Sequence, residues 1–203
     1  MGGPALGGAL SSVPSRPGSI GILGGTFDPF HAGHLALARA ARDALGLERI
    51  LVVPAAVPPH KLNQAISPAA DRLAMVEAGI TGEPGLEVSR IELDREGPSY
   101  TVDTLRALAP LGELVLIVGA DQCDLRSWRE PDEILRLASL AVAPRGGYVR
   151  VPGANVIELA MAPVDLSSTT VRERLAEGVG EDAVDPAVLG LIRARGLYGR
   201  PPC

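Results

Sequence analysis

Two histidines, His31 and His34, close a run that begins with a pair of glycines: Gly24-Gly25-Thr26-Phe27-Asp28-Pro29-Phe30-His31-Ala32-Gly33-His34. Both phenylalanines of the chain lie in this run. The third histidine, His60, and the only lysine, Lys61, follow in a later loop, and every other basic residue is arginine. Glycines let backbone N–H groups approach an anion closely, and a helix start aims its positive end at it. Imidazoles three residues apart share a helix face, and each can donate to a phosphoryl oxygen whether neutral or charged. The pattern points to phosphate binding. It is neither Gly-x-Gly-x-x-Gly nor a loop ending in Gly-Lys-Ser/Thr. Zinc is a competing reading that needs further ligands from His60, Cys123 or carboxylates. A turn capped by two histidines is the purely structural one.

Four further groups carry chemistry. His60-Lys61 follows Pro58-Pro59, so a stiffened loop presents a compact cation suited to a polyphosphate. Ser167-Ser168-Thr169-Thr170-Val171-Arg172 offers hydroxyls and free N–H groups at a helix start, with an arginine one turn in. Gly119-Ala120-Asp121 offers a carboxylate for ribose hydroxyls, and Trp128, the only tryptophan, a face for a planar cationic ring. In Ser99-Tyr100-Thr101-Val102-Asp103-Thr104, Thr101 and Thr104 could bond a small polar ligand, although a capped helix explains the same residues. No Ser-His-Asp order, Cys-His pair or Cys-x-x-Cys supports covalent or thiol chemistry.

These residues need elements to hold them. Residues 19–23 form an apolar run ending in the glycine pair, a buried strand entering a turn. Residues 33–45 have helical spacing and stop at Gly46; residues 49–53 are β-branched and stop at Pro54. This is a β-α-β crossover. Further strands are expected at 86–93, 114–118, 140–143 and 156–161. Helices are expected from Ser67-Pro68 to about 78, over 99–108 with Ser99 or Thr101 as cap, over 131–137, from the 167–170 cap to 176, and from Asp185-Pro186 to Gly196. Thr170 and Glu173 have capping-box spacing. Alternation of apolar strands with helices predicts an α/β fold: a Rossmann-like, doubly wound, mainly parallel sheet with helices on both faces. Ligands then sit at the strands' carboxyl ends.

Composition bounds the rest. The hydrophobic fraction of 46% and charged fraction of 21% are those of a globular protein, and a net charge of −5 argues against a broad nucleic-acid-binding face. Cys123 and Cys203 read as free thiols in a reducing, cytoplasmic setting. No apolar run approaches a membrane span. Residues 1–18, rich in Gly, Pro, Ala and Ser, read as a disordered extension, 19–199 as one domain and 200–203 as a tail.

Taken together, the motifs resemble those of the bacterial nicotinate-nucleotide adenylyltransferases of the nucleotidyltransferase superfamily. His31-x-Gly33-His34 and Ser167-Ser168-Thr169-x-x-Arg172 resemble the superfamily's marks. Pro58-Pro59-His60-Lys61 and Ser99-Tyr100-Thr101-x-x-Thr104 resemble segments of this family within it. Leu166 stands where the family often has isoleucine, and the stretch around Arg145 matches only loosely.

The resemblance implies adenylyl transfer from ATP to nicotinate mononucleotide, giving nicotinate adenine dinucleotide and pyrophosphate. It implies His31, His34, Lys61 and Arg172 as catalytic residues. Gly24, Gly25, Thr26, Phe27, Ser167, Ser168 and Thr169 would join His31, His34 and Arg172 on ATP. Asp28, Lys61, Tyr100, Thr101, Thr104, Asp121 and Trp128 would meet nicotinate mononucleotide. Mg²⁺ would arrive with ATP and need no carboxylate cage. ATP and the mononucleotide are the implied partners, with no nucleic acid or membrane and a homo-oligomer left open. A phosphopantetheine adenylyltransferase and a non-catalytic nucleotide sensor are the alternatives.

Overall fold

The computed structural model describes residues 18–61, 64–119, 125–143, 156–162 and 166–199. Six strands form one sheet: β1 (Ile20–Gly25), β2 (Arg49–Pro54), β3 (Leu86–Val88), β4 (Leu114–Gly119), β5 (Ala138–Ala143) and β6 (Val156–Glu158). Their order is β3-β2-β1-β4-β5-β6, and every pairing is parallel. The expected doubly wound sheet is therefore present. Its switch point lies between β1 and β4, where the connections reverse direction.

Period-two alternation sends side chains to two cores. Leu23, Ile50, Val52, Val115 and Ile117 enter one core, with α1 (Ala32–Leu45), α2 (Ala69–Gly79), α5 (Ser168–Ala176) and α6 (Pro186–Ala194). Ile20, Ile22, Leu51, Val53, Leu116 and Val118 enter the other, with α3 (Thr101–Leu108) and α4 (Pro131–Leu137). Both faces are covered, which is why the strands read as continuous apolar runs.

Several boundaries differ from expectation. The strand expected over 86–93 stops at Val88, and the chain turns through Ile91 to Asp94. That expected over 156–161 ends at Glu158. Pro68, not Ser67, is the N-cap of α2. Tyr100 is the N-cap of α3 and makes no side-chain cap bond, and the hydroxyl of Ser99, an expected cap, accepts from Ala56 and Val57 instead. In α5 the cap is Ser167, whose hydroxyl accepts from the Thr170 N–H; the capping box expected of Thr170 and Glu173 does not form at that position.

Candidate active site

The loop between β1 and α1 is built on the buried rings of Phe27 and Phe30. A Cβ at Gly25 would lie 2.7 Å from the Phe27 ring, and one at Gly79 would lie 2.5 Å from Phe30. Glycine at both places lets the rings fold under the loop, and they become a floor for His34. The His34 ring stacks on Phe30 (centroids 5.4 Å, planes at 23°) and meets Phe27 edge-on (4.9 Å, 83°).

His31 is the N-cap of α1. Its Nδ1 accepts from the Gly33 N–H at 3.2 Å, and Nδ1 of His34 accepts from the His31 N–H at 3.2 Å. This is a capping box made of two imidazoles, so the capping reading is met. A neutral imidazole whose Nδ1 accepts carries its proton on Nε2, so each ring retains one donor. Burial holds His31 down to about 4. His34 lies well below the ordinary imidazole range, first from burial, then from repulsion by His31 and Lys61. Both rings are neutral donors at pH 7.

A cavity of about 610 Å³ opens at the carboxyl ends of β1 and β4. Its lining includes Gly24, Gly25, Thr26, Phe27, His31, His34, His60 and Lys61, together with Ser167, Ser168 and Thr169. Tyr100, Thr101, Thr104 and Trp128 line it as well. The fold thus gathers most of the residues singled out in the sequence. Lys61 closes a 3-10 turn (Pro59–Lys61), and its ammonium is pushed below the ordinary lysine value. Burial is the main cause, Arg172 and Arg72 add repulsion, and Asp28 works against them.

Two predicted residues, Asp28 and Arg172, stand differently. Asp28 does not reach the cavity wall: its carboxylate is buried, accepting from the Ser67 N–H (3.1 Å) and the Tyr198 hydroxyl. Arg172 lies behind the wall, donating to the carbonyl of Asp28 (2.7 Å) and to Thr169 Oγ1 (3.3 Å). Ser168 Oγ donates to the carbonyl of Pro29 (3.1 Å), so the two superfamily-like segments are bonded to one another. Asp121, with Cys123 and Arg145, lies outside the described residues.

Three residues were missed. Arg72 is 1% exposed and donates to four carbonyls: Ser67 (3.0 Å), Thr26 (2.9 Å), Ala55 (2.6 Å) and Ala56 (3.1 Å). Its signal was an arginine in phase with Met75, Val76 and Gly79 on the buried face of α2. Glu92 is a buried carboxylate in the wall and accepts from the Thr104 hydroxyl at 2.6 Å. Arg129 lines the cavity with its guanidinium 4.7 Å from the Tyr100 ring centroid. Nothing in the local pattern marked Glu92; Arg129 directly follows Trp128.

A family model described as cytidylyltransferase-like matches residues 22–174. The chain is 44% identical to a probable nicotinate-nucleotide adenylyltransferase of Dehalococcoides mccartyi, over 89% of the chain and 97% of the relative. It is 43% identical to one of Roseiflexus sp., over 93% and 100%. In shape it is similar to a Plasmodium falciparum nicotinic acid mononucleotide adenylyltransferase complexed with APC, at a TM-score of 0.70 and 19% identity, covering 89% of this chain and 96% of that one. The same parasite protein complexed with NaAD gives a TM-score of 0.70 at 18% identity, covering 89% and 97%. At such identity the likeness bears on the fold.

Proposed function

We propose, from the premise that the chain belongs to the nicotinate-nucleotide adenylyltransferase family, that its cavity holds ATP over His31 and His34 and the acceptor against Tyr100 and Trp128. As a member of that family it transfers the adenylyl group of ATP to nicotinate mononucleotide, in the biosynthesis of NAD. The observation that carries the placement is the imidazole pair: two neutral rings, each with Nδ1 occupied by backbone, in the wall at the switch point.

The acceptor's phosphate oxygen attacks the α-phosphorus, the bond from that phosphorus to the β-phosphate bridging oxygen breaks, and pyrophosphate leaves with the electron pair. The nucleophile is already anionic, so no general base is needed. The protein's work is to bring two anions together and stabilise charge at the α-phosphoryl group and the leaving group. His34 would donate nearest the transferring phosphorus and His31 to the triphosphate. Lys61 supplies positive charge from the stiff loop. Arg172, one nitrogen anchored on Asp28, adds charge beside it. Ser168 and Thr169 would hold the β/γ end. Thr101, Tyr100 and Trp128 would hold the nicotinate ring and carboxylate. Thr104, already donating to Glu92, would reinforce that wall. Asp28 would act on the acceptor through the loop it braces, and Asp121 would orient a ribose.

A divalent cation fits as a companion of ATP. Among the described residues no group of three His, Cys, Asp or Glu side chains could cage one. Mg²⁺ borne on the phosphates would supply charge neutralisation. Among those residues, too, no helix is long and apolar enough to cross a membrane; a cytoplasmic setting is the reading that suits thiol cysteines and a soluble-metabolite substrate.

The test is pyrophosphate release from ATP across nicotinate mononucleotide, nicotinamide mononucleotide and phosphopantetheine. The nicotinate compound should have the highest kcat/KM, and Trp128→Ala should raise its KM more than that of ATP. Equal kcat/KM for the two mononucleotides would overturn the acceptor assignment.

A further inference from the structure

Two segments that line the cavity, 58–61 and 99–101, are bonded together through Ser99. The Ser99 hydroxyl accepts from the N–H groups of Ala56 (2.9 Å) and Val57 (3.3 Å), and the Ser99 N–H donates to the Val57 carbonyl at 2.9 Å. Ser99 directly precedes Tyr100 and Thr101 in the acceptor wall. Val57 directly precedes Pro58 and Pro59, whose fixed φ angles make the path to Lys61 stiff. Both ends of the link are braced. Arg72 holds the carbonyls of Ala55 and Ala56 from behind. Glu92 and Arg95 both bond the Thr104 hydroxyl, at 2.6 Å and 3.4 Å, and so fix the loop that leads into Ser99. A shift of the Tyr100 segment is therefore carried to Lys61 with little slack.

We propose that Ser99 is a positioning residue that couples the acceptor to ATP: filling the Tyr100–Trp128 wall sets Lys61 for the triphosphate. The inference rests on the placement of the two substrates given above. Coupling of this kind is reciprocal, so each substrate tightens the other by the same factor. A serine that merely stabilised the loop would weaken both substrates without changing that factor.

The experiment measures binding of a non-hydrolysable ATP analogue by calorimetry, with and without saturating nicotinate mononucleotide. In the unaltered enzyme the mononucleotide should tighten the analogue about fivefold or more. Ser99→Thr should keep the effect and Ser99→Ala should lose it. Undiminished coupling in Ser99→Ala, or none in the unaltered enzyme, overturns the proposal. If Ser99→Ala fails to fold, hydrogen exchange on the unaltered enzyme decides: the mononucleotide alone should protect the Ala56 and Val57 amides, and unchanged exchange overturns the proposal. Trp128→Ala separates the two claims. An unaltered acceptor Kd there removes the substrate placement, whereas a failed coupling test beside a weakened acceptor Kd removes only the role of Ser99.

Discussion

The rings of His31 and His34 stack with centroids 3.7 Å apart and planes at 28°, while each Nδ1 accepts a backbone N–H from the other's turn. Helix capping fixes which nitrogen carries the proton, and stacking fixes where each ring lies. On the proposed placement the donors would be set before ATP arrives, so no reorganisation would be required of them during transfer.

His34→Ala should lower kcat by about 10²–10³-fold, the usual loss for one donor aimed at developing charge. The cap it forms should cost about 1 kcal/mol in stability. Steady-state turnover beside a thermal melt separates the two; near-normal kcat with a lowered Tm would leave the residue only a capping role.

Acid should destabilise the fold through these rings. The folded pKa of His31 is depressed to about 4, against an ordinary 6.5, so the unfolded chain takes up the proton first. Its contribution is whole above pH 6.5 and is lost as pH falls through 4, about 3 kcal/mol for a shift of this size. His34 shifts in the same direction. Denaturation midpoints between pH 7 and 4 should fall accordingly, and His31→Asn, which can still cap, should flatten the slope.

Lys61 should titrate earlier than an ordinary lysine, because burial and Arg172 both oppose its charge. On the proposed placement its hold on the triphosphate would be present at neutral pH and would fade as pH rises through the lowered value. The alkaline limb of kcat/KM for ATP should break below the ordinary lysine pKa. Lys61→Arg should move that break upward, and an unmoved limb would assign it to another group.

Arg72→Met should destabilise the protein by about 3–5 kcal/mol, since four carbonyls lose their donor and buried Asp28 loses a neighbouring positive charge. Arg72→Lys should recover little, because an ammonium cannot span the same four acceptors. Urea titration of the three proteins checks this; full recovery by lysine would mean that charge alone matters.

Sequence reading reached the sheet because apolar runs and helical spacing are local. It reached the cavity because glycine, histidine, lysine and hydroxyl clusters are also local. It went astray where a side chain's partner lies far along the chain. Ser99 looks like a cap until Ala56 and Val57 are brought beside it. Asp28 looks free to meet a ligand until Ser67 and Tyr198 close on it. Glu92 sits where alternation suggested continuing strand, and only the turn after Val88 carries it into the wall. Arg72 shows the reverse: its phase on α2 was visible, but its four carbonyl partners belong to three separate segments.

The bond between Asp28 and Tyr198 joins residues 170 positions apart. During synthesis the glycine–histidine loop leaves the ribosome long before one of its braces, which is translated 170 residues later. The nascent chain can build β1, α1 and β2 long before that brace exists. The glycine–histidine loop therefore acquires this support only after α6 has been made, and a chain cut before Tyr198 would carry His31 and His34 without the hydroxyl that braces Asp28 between them and the glycine pair.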